Sequence, residues 1–371
     1  MIRLSKSSIS DSEIKRVTEI LRAEFLGTGP ETAAFEQDLR TFIGGIDTEV
    51  VCVNTGTSAL HLALEALDIG PGDEVLVPSL TYVASYQAIS ATGATPISCD
   101  VKLADGLLNL DDARKRLTKR TKAIMPVHYA SNSAGTEAVY DFAKEHLLRV
   151  VEDAAHSFGN YRAKHRIGAL GDIVCFSFDG IKNITSGEGG AVVTRDKLVA
   201  NRVRDARLLG VERDSENRAN NKRSWVFDVS RQGFRYHMSD VMAAIGREQL
   251  KRFEDFAKNR QCLLNRYVSN LKTETSVKLL DINTETTVAH IFAVRIPNQD
   301  TNLVRAEMEN YGIQTGLHYF PNHKLSLYRT NYALPATEQL CSELITLPLH
   351  NDLSTKDVDY VCGKLLQVVC N

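Results

Sequence analysis

Apolar positions along the chain follow two rhythms. Residues 11–22, DSEIKRVTEILR, set Ile14, Val17, Ile20 and Leu21 at helical spacing. LGTGPET interrupts that spacing and TAAFEQDLRTFIGG resumes it. After the strand-like run VVCVNT at 50–55, helical stretches at 57–68, around 82–92, at 110–118 and at 136–147 alternate with the short runs DEVLVPS, PISCDV, KAIMPVHY and RVVEDA. Two further runs, DIVCFSF and GGAVVTR, are joined by a glycine-rich loop. Short apolar strands separated by helices predict a mostly parallel sheet with right-handed crossovers, covered on both faces.

The rhythm changes beyond residue 209. Segment 210–234 is long, polar and charged, and a loop of that length in a compact domain is more often a binding or lid element than a mere connector. A long helical tract with room for a break begins at Ser239, a good N-cap. The remainder (VKLLD, TTVAHIFAVRI, a helix at 302–310, ELITLPL and a last helix at 355–368) suits a smaller α/β unit. A length of 371 residues exceeds one compact domain. The expected division is a large domain over 1–245, with an N-terminal arm, and a small C-terminal domain over 246–371.

Composition narrows the function. A net charge of −2 with 24% charged residues offers no basic surplus for nucleic acid or an anionic membrane. The seven cysteines form no C-x-x-C pair, which argues against a disulfide framework or zinc site and for a reducing compartment. No metal site is expected. The N-terminus MIRLSKSSIS lacks the apolar core of a signal peptide, and no run reaches the ~18 apolar residues of a membrane span, so the expected location is the cytoplasm.

Three segments carry candidate chemistry. In NTGTSAL at 54–60, Gly56 permits close approach of a ligand, and Thr57, Ser58 and the following helix amides suit an anion; a simple helix cap explains the segment equally well. In VVEDAAHSFG at 150–159, Asp153 ends a strand where α/β sheets place ligands, with His156 three residues on. Asp153 could equally cap a helix, and His156 could be a satisfied surface histidine. In FSFDGIKNITSGEGG at 176–190, Ser177 suits an anion and Lys182 follows an apolar strand, as a Schiff-base lysine would; alone it reads as a surface charge.

The order of these pieces is more specific than any one of them. With the aromatic of PSLTYVAS, and with GTGPETAAFE, IGPGDEVLVPSLTYVAS, GATPISCDV, TKAIMPVH, GIQTGLHYFPNH and ITLPLHNDLS, the chain from about residue 8 to 355 resembles the DegT/DnrJ/StrS family of nucleotide-sugar aminotransferases. These are pyridoxal 5′-phosphate (PLP) enzymes of fold type I. The resemblance implies that Lys182 holds PLP as a Schiff base, Asp153 pairs with the pyridine nitrogen, and His156 reaches the ring hydroxyl. It implies that Tyr82 stacks on the ring and that Gly56, Thr57, Ser58 and Ser177 bind the phosphate. On the substrate side it implies His318, Tyr319, His323 and the loop bearing Trp225.

The implied reaction carries an amino group from L-glutamate to C4 or C3 of a nucleotide-linked keto sugar. A thymidine diphosphate 4-keto-6-deoxyhexose is the substrate type frequent in the family, and surface polysaccharide such as lipopolysaccharide O-antigen is the implied destination. The implied assembly is a homodimer with active sites at its interface. Two departures bear on the substrate. GFRYHMSD puts Arg235 where relatives have an asparagine that reaches the partner subunit's PLP phosphate, and His237 where they have arginine; HYASNSAG at 128–135 lacks the usual Gly-x-x-x-Asp. Arg235 is therefore expected either on the partner's phosphate or on the substrate diphosphate. Two other readings are a sugar dehydratase and a PLP-binding protein without turnover. Lys182 opposes the first, since dehydrating relatives carry histidine there, and the intact Lys182–Asp153 pair opposes the second.

Overall fold

The computed structural model describes residues 1–212, 220 and 225–370. Residues 213–219 and 221–224 of the expected lid segment lie outside them. Its architecture is mixed α/β, with a seven-stranded main sheet and a separate three-stranded sheet. The main sheet comprises β1 (Glu49–Val53), β2 (Glu74–Pro78), β3 (Thr95–Cys99), β4 (Thr121–Ile124), β5 (Arg149–Asp153), β8 (Ile173–Ser177) and β9 (Gly190–Thr194). A two-stranded hairpin, β6 (Tyr161–Arg162) and β7 (His165–Arg166), branches off between β5 and β8.

Strand order is β1-β9-β8-β5-β4-β2-β3. β3, β2, β4, β5 and β8 pair in parallel, and β9 runs antiparallel to both β8 and β1. β2, β8 and β9 are buried at every position, because helices cover both faces. One face packs Leu60, Leu62, Tyr86 and Val203; the other packs Phe35, Leu39, Phe158 and Phe253.

Local chemistry sets the helix ends. Ser10 builds a capping box with Glu13 on the helix Asp11–Arg22. Ser239 accepts from the Met242 amide at the start of Asp240–Lys251. The long tract does break, at Arg252, and continues as Phe253–Leu271. Two helices outside the expected set are Lys197–Ala206 and Pro335–Glu343. Asp196 caps the first through the amides of Leu198 and Val199. The second opens with proline at its first turn, where the missing N–H costs nothing.

A second core forms around the antiparallel sheet β10 (Lys278–Leu279), β11 (Phe292–Arg295) and β12 (Leu344–Leu347), against the helices Phe253–Leu271, Thr301–Asn310 and Thr355–Val369. The helix Phe253–Leu271 serves both cores. Phe253 and Phe256 pack with the main sheet, while Leu263, Leu264 and Tyr267 pack with the second. Among the described residues no helix is long and apolar enough to cross a membrane.

Candidate active site

The carboxyl ends of β1, β2, β5 and β8 converge on a cavity of about 520 Å³. Thr55, Gly56 and Thr57 follow β1, Tyr82 follows β2, Asp153 ends β5, and Ser177 ends β8 before the loop bearing Lys182. This is the crevice where a parallel sheet presents its ligands. His156, His318, Tyr319, Asp179 and Glu188 complete the polar wall.

The β1 end forms an anion cradle. Thr55 caps the helix Gly56–Ala66 through the Ser58 amide, 3.0 Å away. A side chain at Gly56 would put its Cβ 2.8 Å from that of Ser177, so glycine is what lets the turn after β1 close onto the end of β8 beneath the cradle. Ser58 has a different place from its neighbours: its hydroxyl donates to Asn54 Oδ1 at 2.7 Å and pairs with Thr55.

Asp153 is oriented by its surroundings. Ser85 Oγ donates to its Oδ2 at 2.7 Å, the Ala155 amide donates to Oδ1 at 3.2 Å, and Ser85 in turn meets Thr81 Oγ1 at 2.8 Å. This carboxylate is buried and, among the described residues, has no basic side chain in hydrogen-bond contact, which suits a protonated ring nitrogen.

Lys182 lies across the cavity, with Nζ 3.3 Å from His290 Nε2. Burial pulls its pKa down to about 8, against the opposing pull of Asp153 and Asp179. His156 and Tyr319 share a hydrogen bond of 2.9 Å, and burial with the nearby Lys182 charge holds His156 well below the ordinary histidine range. His318 is pulled to about 4 by burial and Lys182, and its Nδ1 meets Thr346 Oγ1 at 2.9 Å. The two imidazoles are thus neutral at physiological pH. Burial, with Asp179 nearby, pushes the Glu188 carboxyl upward.

Four of the residues singled out in the sequence stand off this cavity, Ser58 on Asn54 and Thr55 being the first. His323 is buried against Ser79, 2.7 Å from its Oγ, with Glu338 Oε1 at 3.3 Å on the other ring nitrogen. Arg235 is exposed and bridges to Leu208. Trp225 is 84% exposed. Conversely, Asp179 and Glu188 were written in the lysine motif without a role, and Thr81 and Ser85 sit in the helix start after β2. His290 carried one signal, a titratable residue inside the apolar run TTVAHIFAVRI.

A model of the DegT/DnrJ/EryC1/StrS aminotransferase family matches residues 7–366. The chain belongs to this family. It is 33% identical to the spore coat polysaccharide biosynthesis protein SpsC of Bacillus subtilis (strain 168), over 97% of this chain and 95% of that protein. The aminotransferase TlmJ from Streptoalloteichus hindustanus superposes with a TM-score of 0.92 at 32% identity, covering 100% of both chains. Spr1654 from Streptococcus pneumoniae, in its PMP form, superposes at 0.91 with 28% identity, covering 100% of this chain and 99% of that one. The chain is a PLP-dependent sugar aminotransferase. Its residues fit the cofactor: a glycine-lined anion cradle, a buried carboxylate and a lysine of lowered pKa face one cavity.

That pKa makes a testable demand. Only the free amine bonds to the PLP aldehyde, so uptake of PLP by the cofactor-free enzyme is expected to speed up with rising pH and level off above about 8. Stopped-flow absorbance across pH 6 to 10 measures it. A midpoint near the free-lysine value of about 10.4 would contradict the burial argument.

Proposed function

We propose that this aminotransferase moves an amino group from L-glutamate to C4 or C3 of a nucleotide-linked deoxy keto sugar, for a surface polysaccharide. The observation that carries the reading is the convergence of Lys182, Asp153 and the Gly56 cradle on one cavity. PLP bound there supplies an electron sink for moving a proton and an amino group between two carbonyl compounds. Lys182 would hold the cofactor and, with its amine free, would move the proton as base and acid. Asp153 would keep the ring nitrogen protonated, His156 would serve the ring hydroxyl, and Tyr82 would supply a stacking surface for the ring. Gly56, Thr57 and Ser177 would hold the phosphate, with Ser58 supporting Thr55. His318 and Tyr319 border the sugar.

The substrates of this reading are anions, yet Lys182 is the one basic Lys or Arg side chain on the described cavity wall, facing Asp153, Asp179 and Glu188. The missing positive charge is assigned to Arg235 of the partner subunit in a homodimer. Exposed Trp225, Val226 and Phe227 form an apolar run that a second copy would cover. The relative SpsC, a polysaccharide biosynthesis protein, supports the destination.

The deciding experiment is spectral. Purified protein should carry the visible band of lysine-bound PLP, and excess L-glutamate should bleach it. A panel of nucleotide keto sugars should then restore the band, with the aminated sugar detected by mass. A band indifferent to glutamate and to other amino donors would sink the proposal.

A further inference from the structure

Segment 286–291, which leads into β11, crosses from the second core to the underside of the Lys182 loop. Its backbone is held by side chains of the main domain and the shared helix. The Val288 amide donates to Asn160 Oδ1 at 2.8 Å, and Asn183, next to Lys182, donates from Nδ2 to the carbonyls of Val288 and Phe158, both at 3.0 Å. Arg260 Nη1 donates to the carbonyls of Ala289 at 3.0 Å and His290 at 3.4 Å. The His290 amide donates to Ser131 Oγ at 2.7 Å.

Arg260 is the costly member of this set. It is 1% exposed, burial pulls its pKa to about 10, and its hydrogen-bond partners among the described residues are backbone carbonyls, not a carboxylate. Burying a guanidinium without a counter-charge is expensive, so the segment it braces is placed with care. What the segment presents is the His290 ring. That ring is buried, tilted against His156 with centroids 4.7 Å apart, and its Nε2 lies 3.3 Å from Lys182 Nζ. Nδ1 has no hydrogen-bond partner among the described residues.

We propose that His290 is a positioning residue that receives the Lys182 amine whenever the lysine is not bonded to the cofactor, Nε2 accepting from Nζ. The inference rests on the reading of Lys182 as the PLP lysine. Amino transfer requires that lysine to leave the cofactor and return, so a seat between the two states keeps it in reach. A carboxylate in the same place would hold the lysine as a tight ion pair. A neutral imidazole orients the amine without that penalty, and burial with the Lys182 charge keeps His290 well below the ordinary range.

The test uses His290→Phe, which keeps a ring against His156 and removes the acceptor, and His290→Gln, which keeps an acceptor. In PLP-free enzyme, acetylation of Lys182 is followed by peptide mass spectrometry as a function of pH. Wild type should titrate near 8. Losing the acceptor destabilises the ammonium, so the Phe variant should titrate about half a unit to one unit lower, a roughly 3- to 10-fold change in ionisation constant. The Gln variant should stay near wild type. In holoenzyme the Phe variant should bleach with glutamate about tenfold more slowly at saturation, with unchanged KM and PLP content. Equal midpoints in wild type and Phe variant, or equal losses in Gln and Phe, would overturn the proposal. If His290→Phe does not fold, His290→Met makes the same comparison. The titration involves neither donor nor sugar, so its failure is distinct from failure of the proposed reaction, which would show as a wild-type PLP band that glutamate and other amino donors leave unchanged.

Discussion

Lys182→Ala is expected to abolish turnover, by a factor on the order of 10⁴ or more, in a protein that still folds. The chemical loss follows from position: Lys182 is the primary amine on the wall shared by Asp153 and the anion cradle. Retention of the fold follows from what the side chain does not do. The loop is held by backbone, with the Lys182 amide donating to the Asp179 carbonyl at 3.1 Å, and by Asn183, which the substitution leaves in place. Stability should not fall. With the pKa at about 8 in the folded state, the protonated lysine is disfavoured there relative to the unfolded chain. That cost is fully present at pH 7 and disappears as pH rises from about 8 toward the free value of about 10.4. PLP-free variant and wild type, melted side by side at pH 7, should therefore show a variant Tm at least equal to wild type.

The same variant tests the assembly. If Arg235 of the partner subunit completes each site, Lys182→Ala and Arg235→Ala chains fail separately. Refolded together at equal amounts, they place one fully intact site in every mixed dimer and should recover about a quarter of wild-type activity in a symmetric pair. No recovery on mixing would put Arg235 in the site of its own chain.

Much of this site was legible in the sequence because its parts belong to strand ends. The strands β1, β5 and β8 are apolar runs bounded by turn residues, and the polar residue that ends each run falls at the sheet's carboxyl edge. Gly56, Asp153, Ser177 and Lys182 follow from that rule. What was not legible depends on distant packing. His290 is 108 residues from Lys182 and meets it through four braces, among them Arg260, whose place in an amphipathic helix gives no sign that it is buried. His323 lies in a motif suggestive of substrate contact, yet its ring is taken up by Ser79 and Glu338. The helix Lys197–Ala206 was written in its Asp196 cap and amphipathic spacing; Pro335–Glu343, only nine residues long, had little beyond its proline.

Asp153→Asn carries the second large effect, and it separates two readings that the sequence left level. If Asp153 serves only to cap the turn after β5, asparagine does as well, because the two are nearly equivalent caps. The Ala155 amide would still find an oxygen, and Ser85 would still have a polar neighbour. Activity would then barely change. If instead the carboxylate keeps the ring nitrogen protonated, the neutral amide removes the charge that makes PLP an electron sink. The kcat is then expected to fall by about 10²–10³, the size of losing one preorganised electrostatic contact in a water-poor site. PLP content should stay high, since the Gly56 cradle and the Lys182 bond are untouched. A further readout does not depend on turnover. Asp153 raises the Lys182 pKa through its charge, in opposition to burial, so the pH midpoint of PLP uptake should move below about 8 in the variant. A midpoint that stays put while kcat falls would mean that the carboxylate acts on the ring without reaching the lysine, and an unchanged kcat would return Asp153 to the role of a cap.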